Sequence, residues 1–211
     1  MKKLIVYGAG EFGSLIANVL SYNKEYEIAA YGDDNSKKVG TSIDGLPILD
    51  QNEILNFAKQ NEINTAITAI GNNQVRCEKY NFFKTNGFKM LSIVHPQALI
   101  DTNVSFGDNV IIEMGTAIHT HSTIGNNVFL GGDALIGHHN KIGDHVLIGG
   151  NVSFGGSVIV EDFVSIGVGA SIKPGLRLGK RSVIGVGAAV VKDVPPNVTV
   201  VGVPAKPLRY E

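Results

Sequence analysis

Apolar positions recur with a period of six through the second half of the chain. Every sixth residue from Val94 to Val190 is aliphatic or Phe, seventeen positions with no insertion, starting Val94, Ile100, Phe106 and ending Leu178, Ile184, Val190. Two residues earlier there is usually a small or β-branched side chain, as at Val104, Val110, Ala134 and Val146. Gly often follows directly, as at Gly107, Gly125, Gly137 and Gly143. A strict six-residue period fits neither an amphipathic helix nor an alternating strand; it predicts a parallel β-helix. Three hexads close one triangular coil and coils stack at about 4.8 Å, so five to six coils make a prism about 25 Å tall. The aliphatic residues are expected to fill the prism. The glycines after them are expected to turn its corners, where unusual φ is needed.

Residues 1 to about 90 carry a different pattern. Strand-like runs at Lys3–Tyr7, Glu27–Tyr31 and Thr65–Ile70 alternate with helical spacing at Phe12–Leu20, Asn52–Lys59 and Gln74–Thr85, and Met90–Val94 leads out. Such alternation implies a parallel sheet of four or five strands with right-handed crossovers. Two domains are therefore expected, residues 1–93 with a Rossmann-like α/β sheet and residues 94–211 with the β-helix. Val194-Pro195-Pro196 is expected to break the repeat, with Gly202-Val203-Pro204-Ala205-Lys206 closing the chain.

Composition narrows the function classes. With 211 residues and 44% hydrophobic content the chain can bury a substantial core. A net charge of −1 gives no footprint for nucleic acid, and no Lys/Arg run points to a membrane surface. The apolar run in the opening MKKLIVYGAG stops at Gly8, too short for a signal core, so it reads as a buried first strand. One cysteine, Cys77, excludes an intramolecular disulfide framework and reads as structural. A soluble cytoplasmic protein is expected.

Gly8-Ala9-Gly10-Glu11-Phe12-Gly13 lies between a strand and a helix, where glycines let backbone N–H groups approach a phosphate. Asp33 and Asp34 follow the second strand, in position for a ribose hydroxyl. The alternative is a tight turn that needs glycine only for packing. The domain is short for a dinucleotide fold, so a mononucleotide-containing ligand fits better than NAD.

Five of the six histidines, His119, His121, His138, His139 and His145, fall within the repeat. His121 and His139 are one coil apart and should lie about 5 Å from each other. A polar corner ladder without chemistry is the plain reading of any one of them, and His95 before Pro96 reads as structural. The H-x-x-x-x-H spacing of a trimer-interface zinc site is absent, so no metal is expected.

The Gly8–Gly13 loop, Tyr31-Gly32-Asp33-Asp34, Ala69-Ile70-Gly71-Asn72-Asn73 with Arg76, Val94-His95-Pro96, the hexads and the G-x-P-A-K ending together resemble one family along the whole chain. The chain resembles the hexapeptide-repeat, left-handed β-helix N-acetyltransferases that acetylate a nucleotide-linked 4-amino sugar, of bacillosamine and perosamine type, with sialic-acid O-acetyltransferase relatives. The resemblance implies acetyl-CoA as co-substrate, a homotrimer, and a nucleotide amino sugar held by Gly8, Gly10, Gly13, Asp33, Asp34 and Gly71. It makes His138, in His138-His139-Asn140-Lys141-Ile142-Gly143, the general base with His139 beside it. It maps acetyl-CoA contacts to Gly156, Val168 and Val186, with the Gly156 N–H as oxyanion donor. The sequence departs from the family twice: His139 replaces a commonly acidic neighbour of the base, and Leu147 replaces a second His. Asn140, Asp144 or a residue of another subunit could then orient the base. Rival readings are an O-acetyltransferase, a non-catalytic sugar-nucleotide-binding regulator and a γ-class carbonic anhydrase.

Overall fold

The computed structural model describes residues 1–22 and 24–208. The chain divides into two compact units, Met1–Ile93 and Val94–Glu211, the last three residues of the second lying outside the described residues.

In the first unit, β1 (Lys2–Tyr7) is buried from Leu4 onward, as expected of an apolar run sandwiched between layers. There follow α1 (Glu11–Ser21), β2 (Tyr26–Gly32), β3 (Ser42–Ile43), β4 (Leu46–Leu49), α2 (Gln51–Gln60), β5 (Thr65–Thr68), α3 (Asn73–Thr85) and β6 (Lys89–Met90). The sheet has six strands in the order β3-β4-β2-β1-β5-β6. All neighbours are parallel except β3 and β4, which form a hairpin pairing Ser42 with Pro47 and Ile43 with Leu46. That hairpin corrects the expected all-parallel sheet. Its two-residue loop, Asp44-Gly45, has positive φ at both positions, the turn whose twist suits paired strands. The chain runs outward from β1 through β2 to β4, then returns to β5 on the other side of β1. The crevice at the carboxyl ends of these strands is where such sheets bind ligands.

The second unit is the left-handed β-helix. Seventeen two-residue strands, from Ile93–Val94 to Ala189–Val190, each end on the residue that the hexad pattern marks. They stack into three parallel sheets, with each strand paired to the one a full coil away, as in Phe129↔Leu147 and Leu135↔Ser153. Ile112, Leu130, Ile136, Ile148, Ile166 and Leu178 are fully buried and form one continuous core with the Val and Ala residues two places before the marked positions. The first coil is less covered, leaving Val94 and Phe106 exposed by 36% and 39%. The wall continues on both sides of the prolines: Val194, just before them, bridges to Leu178, and Thr199–Val201, beyond them, pairs with Val183–Ile184.

The corner glycines have another reason than the expected one. Those directly after the core residue do not have positive φ. A Cβ on Gly131, Gly137 or Gly149 would instead stand 2.6–2.8 Å from backbone atoms of the next coil. Close stacking excludes a side chain there. Left-handed backbone falls two residues later, at Asn103, Asn109, Gly115, His121, Asn127, Asp133, His139, His145 and Asn151, and so on round the coils. Asn, Asp and His are the non-glycine residues enriched in that region. Three of the histidines are therefore placed by the backbone of the corner they occupy.

Candidate active site

In the first unit, a cavity of about 510 Å³ opens over the ends of β1, β2 and β5. Gly8, Gly10, Asp33, Asp34 and Gly71 line it, together with Lys38. The three loop glycines have different causes. Gly8 has φ of 122°, and a Cβ on it would collide with the Ala69 carbonyl oxygen. A Cβ on Gly13 would collide with the Gly8 carbonyl oxygen, so Gly13 lets α1 pack against the loop from behind and does not line the cavity. A Cβ on Gly10 would meet only Lys38 Nζ, at 3.6 Å. The space beside Gly10 is open to the cavity.

Helix ends sharpen the contrast. Asp50 caps α2 in a reciprocal capping box with Glu53, and Asn72 caps α3 by accepting from the Gln74 and Val75 N–H groups. The N-cap of α1 is Gly10, with no side-chain cap, so the first N–H groups and the positive end of the helix dipole face the cavity. Lys38 adds a cation: its ammonium donates to the Ala9 carbonyl at 2.9 Å and sits 3.4 Å from Asp33.

Both aspartates are held in place. Asp33 accepts the Ala9 N–H at 3.0 Å and the Asn35 N–H at 2.9 Å, which ties the glycine loop to the end of β2. Asp34 accepts from Tyr7 Oη and from the nearly buried Lys79 ammonium, which also donates to Gln51 at 2.7 Å. Burial alone would lift the Asp34 carboxyl, but the hydrogen bonds from Lys79 and Tyr7 outweigh it and hold the group below the ordinary aspartate value. Burial first, and then its bond to Asp34, push the Tyr7 hydroxyl up and keep it a donor. Beneath the Ile70-Gly71 edge lies Arg76, almost wholly buried. It donates to the Ile70 carbonyl at 2.8 Å and to Asn73 at 3.0 Å, and burial lowers it to about 10. It remains a fixed positive charge at neutral pH. Lys38 and Lys79 were not found by sequence reasoning. Lys79 is 45 residues from its partner Asp34, and no short motif joins them.

In the second unit, His138 and His139 lie at the corner between the strands Leu135–Ile136 and Lys141–Ile142. They line an open depression with His119, Thr120 and Gly137. The His138 and His139 Nδ1 atoms are 3.0 Å apart with the rings nearly perpendicular, and His121 packs on His139 at 4.9 Å, the spacing expected of neighbouring coils. His119 is separate, bound to Asp101 at 3.1 Å. His145 belongs to another corner, where it bonds Asn127 and stacks on Phe163. Neither of the other named orienting residues serves His138. Asn140 is buried and spends its amide on the Val158 N–H and the Gly137 carbonyl, and Asp144 accepts the Asn126 N–H.

Gly156 stands one coil from His138, and the imidazole lies over its Cα. A Cβ there would collide with the ring and stand 2.6 Å from Nε2. Its N–H donates to no described residue. At the equivalent hexad position some N–H groups are taken, Thr120 by Asp101, Gly132 by Glu113, Asp144 by Asp162 and Lys180 by Glu161, while others, such as those of Gly150 and Asp162, are also without a partner among the described residues. Val168 and Val186, exposed by 53% and 78%, also keep their N–H groups without a partner among the described residues. They lie at the corner on the other edge of the sheet that ends at His138 and Gly156. Among the described residues, no group of three or more His, Cys, Asp or Glu could hold a metal ion.

Residues 3–83 match the PglD N-terminal domain, and residues 157–192 match the hexapeptide repeat of succinyl-transferase. Redox-sensing transcriptional repressors Rex from Clostridioides difficile and Clostridium acetobutylicum are 29% and 27% identical over 112 and 117 residues. The chain spans about half the length of these curated relatives, 53% and 55%. Three solved structures match nearly whole length to whole length. PerB from Caulobacter crescentus, in complex with CoA and GDP-perosamine, has a TM-score of 0.92 at 26% identity, covering 99% of this chain and 98% of its own. The acetyltransferase domain of PglB from Neisseria gonorrhoeae, in complex with acetyl coenzyme A, has 0.89 at 28%, covering 98% and 99%. WeeI from Acinetobacter baumannii has 0.89 at 27%, covering 99% and 100%. By its fold, both domain matches and these nearly full-length likenesses, the chain is similar from end to end to acetyltransferases that join a PglD-type N-terminal domain to a hexapeptide-repeat β-helix.

Proposed function

We propose that the protein transfers an acetyl group from acetyl-CoA to the amino group of a nucleotide-linked 4-amino sugar. The observation that carries this reading is the pairing, at one corner, of an exposed imidazole with an N–H that the fold leaves unused. The sugar amine attacks the thioester carbonyl carbon while His138 Nε2 takes the amine proton. The Gly156 N–H donates to the oxyanion, which adds stabilisation where charge develops. Collapse forms the amide and expels the CoA thiolate, which takes the proton from His138. No covalent enzyme intermediate is needed. The unused Val168 and Val186 N–H groups lie along the same sheet at successive coils and suit the amide and carbonyl groups of a CoA arm. Residues 94–211 are then the acyltransferase domain.

Residues 1–93 are the nucleotide-sugar domain in this reading. Gly10, the uncapped end of α1 and Lys38 suit a diphosphate; Asp33 and Asp34 suit ribose or base donors. Gly10→Ala tests it, because the fold leaves room for the methyl group while a phosphate would have to share that space. Calorimetric titration with UDP, GDP and dTDP is expected to give one preferred nucleotide, bound at least about ten-fold more weakly by Gly10→Ala, a loss of about 1.4 kcal/mol. The melting temperature should stay unchanged. Equal binding by both proteins removes the diphosphate from this place.

We also infer a cytoplasmic homotrimer. Exposed Leu99 on a sheet wall and exposed Met114, Val168 and Val186 along one corner support it, since apolar side chains left at the surface favour closed cyclic assembly. Light scattering should return three times the chain mass of 22.4 kDa; the mass of one chain rejects it.

A further inference from the structure

We infer that His139 is a positioning residue that fixes the tautomer of His138, doing as a neutral imidazole what a carboxylate does beside many catalytic histidines. The inference rests on His138 as the base. The Nδ1 atoms of the two rings are 3.0 Å apart, and a contact between two ring nitrogens at that distance is a hydrogen bond only if one proton lies between them. Two arrangements are possible. If His139 donates, the remaining proton of His138 sits on Nε2, the nitrogen nearest Gly156, and His138 has no lone pair to offer an amine there. If His138 donates from Nδ1, its Nε2 lone pair is free, and the imidazolium formed when it accepts a proton keeps the same bond. Only the second arrangement makes a base.

The surroundings hold this pair together. His139 occupies the left-handed corner position, with φ of 59°, and its own N–H bonds the Thr120 carbonyl at 3.1 Å. His121 packs against its ring from the preceding coil, at 4.9 Å. On the other side, the His138 ring lies close against Gly156, and the Nδ1 contact with His139 fixes its rotation. The protein carries no carboxylate that bonds His138 among the described residues: Asp101 is engaged with His119 and Thr120, and Asp144 with Asn126.

The same corner column supplies fold-neutral variants. Asn103 and Gly175 occupy the positions equivalent to His139 in other coils, both with left-handed φ. His139→Gly removes the ring without backbone strain. His139→Asn keeps an acceptor, because Asn Oδ1 and His Nδ1 are each one bond from Cγ. Nitrogen-15 NMR of the imidazoles in the full-length protein reads the tautomer directly. The wild type and His139→Asn are expected to hold the His138 proton on Nδ1, and His139→Gly to move it largely to Nε2. In steady-state assays His139→Gly should lose about ten- to a hundred-fold in kcat, with KM for acetyl-CoA changed less than about three-fold, a smaller loss than the roughly 10²–10⁴-fold contributed by the base itself. His139→Asn should recover most of the loss. A wild-type His138 protonated on Nε2, or an unchanged tautomer and kcat in His139→Gly, overturns the inference. Failure of the base reading looks different: His138→Ala would keep its kcat, whatever tautomer the wild-type ring adopts.

Discussion

Replacing His138 by Ala is expected to lower kcat by about 10²–10⁴-fold, the range that a positioned general base contributes. KM for acetyl-CoA should change little, since the backbone groups proposed to hold the CoA arm, at Val168 and Val186, lie at another corner. The imidazole is exposed and at a corner, so its loss opens no cavity in the β-helix core and the melting temperature should shift by no more than about 2 °C, in line with surface substitutions. A residual rate is expected from the Gly156 N–H and from simple proximity of the two substrates. Steady-state kinetics with calorimetric melting checks both halves. A variant that keeps its kcat removes His138 from the chemistry.

Gly156→Ala should be nearly as damaging, for a different reason. The substitution leaves the N–H in place and adds one methyl group in the volume that the His138 ring fills. Gly156 does not have positive φ, so the backbone accepts Ala without strain. The ring must swing away, and displacement of a catalytic group by about 1 Å can cost about 10²-fold in rate. Because the ring is exposed it can move outward, and the stability cost should stay below the 1–3 kcal/mol typical of an overfilled interior. Acetyl-CoA binding, measured by calorimetry, should be retained while kcat falls about 10²-fold. A Gly156→Ala protein with full kcat shows that this close contact is not needed.

The β-helix was legible because its constraint repeats. A core that narrow accepts one aliphatic residue per hexad, and the pattern marked the last residue of every two-residue strand from Val94 to Val190. What the pattern misled about was the corner glycine. Period alone does not separate a residue that needs positive φ from one that must lack a Cβ, and stacking distances assign the second cause to Gly131 and Gly137 and the first to the Asn103–Asn109 positions. In the first unit, strands and helices were found within one or two residues at most ends, but the β3–β4 hairpin was missed although Asp44-Gly45 is a strong turn signal. Its strands are short and contain Pro47, which masks the alternation.

The site was legible in its local parts and not in its long-range ones. The G-x-G-x-x-G loop and the Asp33-Asp34 pair are short motifs, and the structure brings Gly8, Gly10, Asp33, Asp34 and Gly71 to one cavity. Gly13 shares the motif but serves packing. Lys79 reaches Asp34 only through the tertiary fold, and Lys38 follows no motif. In the β-helix the eighteen-residue coil made neighbours readable, as for His121 against His139, whereas the contact of His138 with Gly156 came from the structure. The Nδ1 contact between His138 and His139 depends on side-chain rotation, which periodicity does not carry. The unused N–H groups at Gly156, Val168 and Val186 also needed the hydrogen-bond pattern, although residues that take some of the others, such as Asp101 and Glu113, sit nineteen places from the donors they satisfy.

The most direct test is thiol release from acetyl-CoA on mixing the protein with UDP-, GDP- and dTDP-linked 4-amino sugars. Release with one nucleotide class, yielding the N-acetylated sugar nucleotide and abolished in His138→Ala, is the predicted result. No release with any of them, while the protein binds a nucleotide tightly, would contradict the account and favour a sugar hydroxyl as acceptor or a binding protein without catalysis.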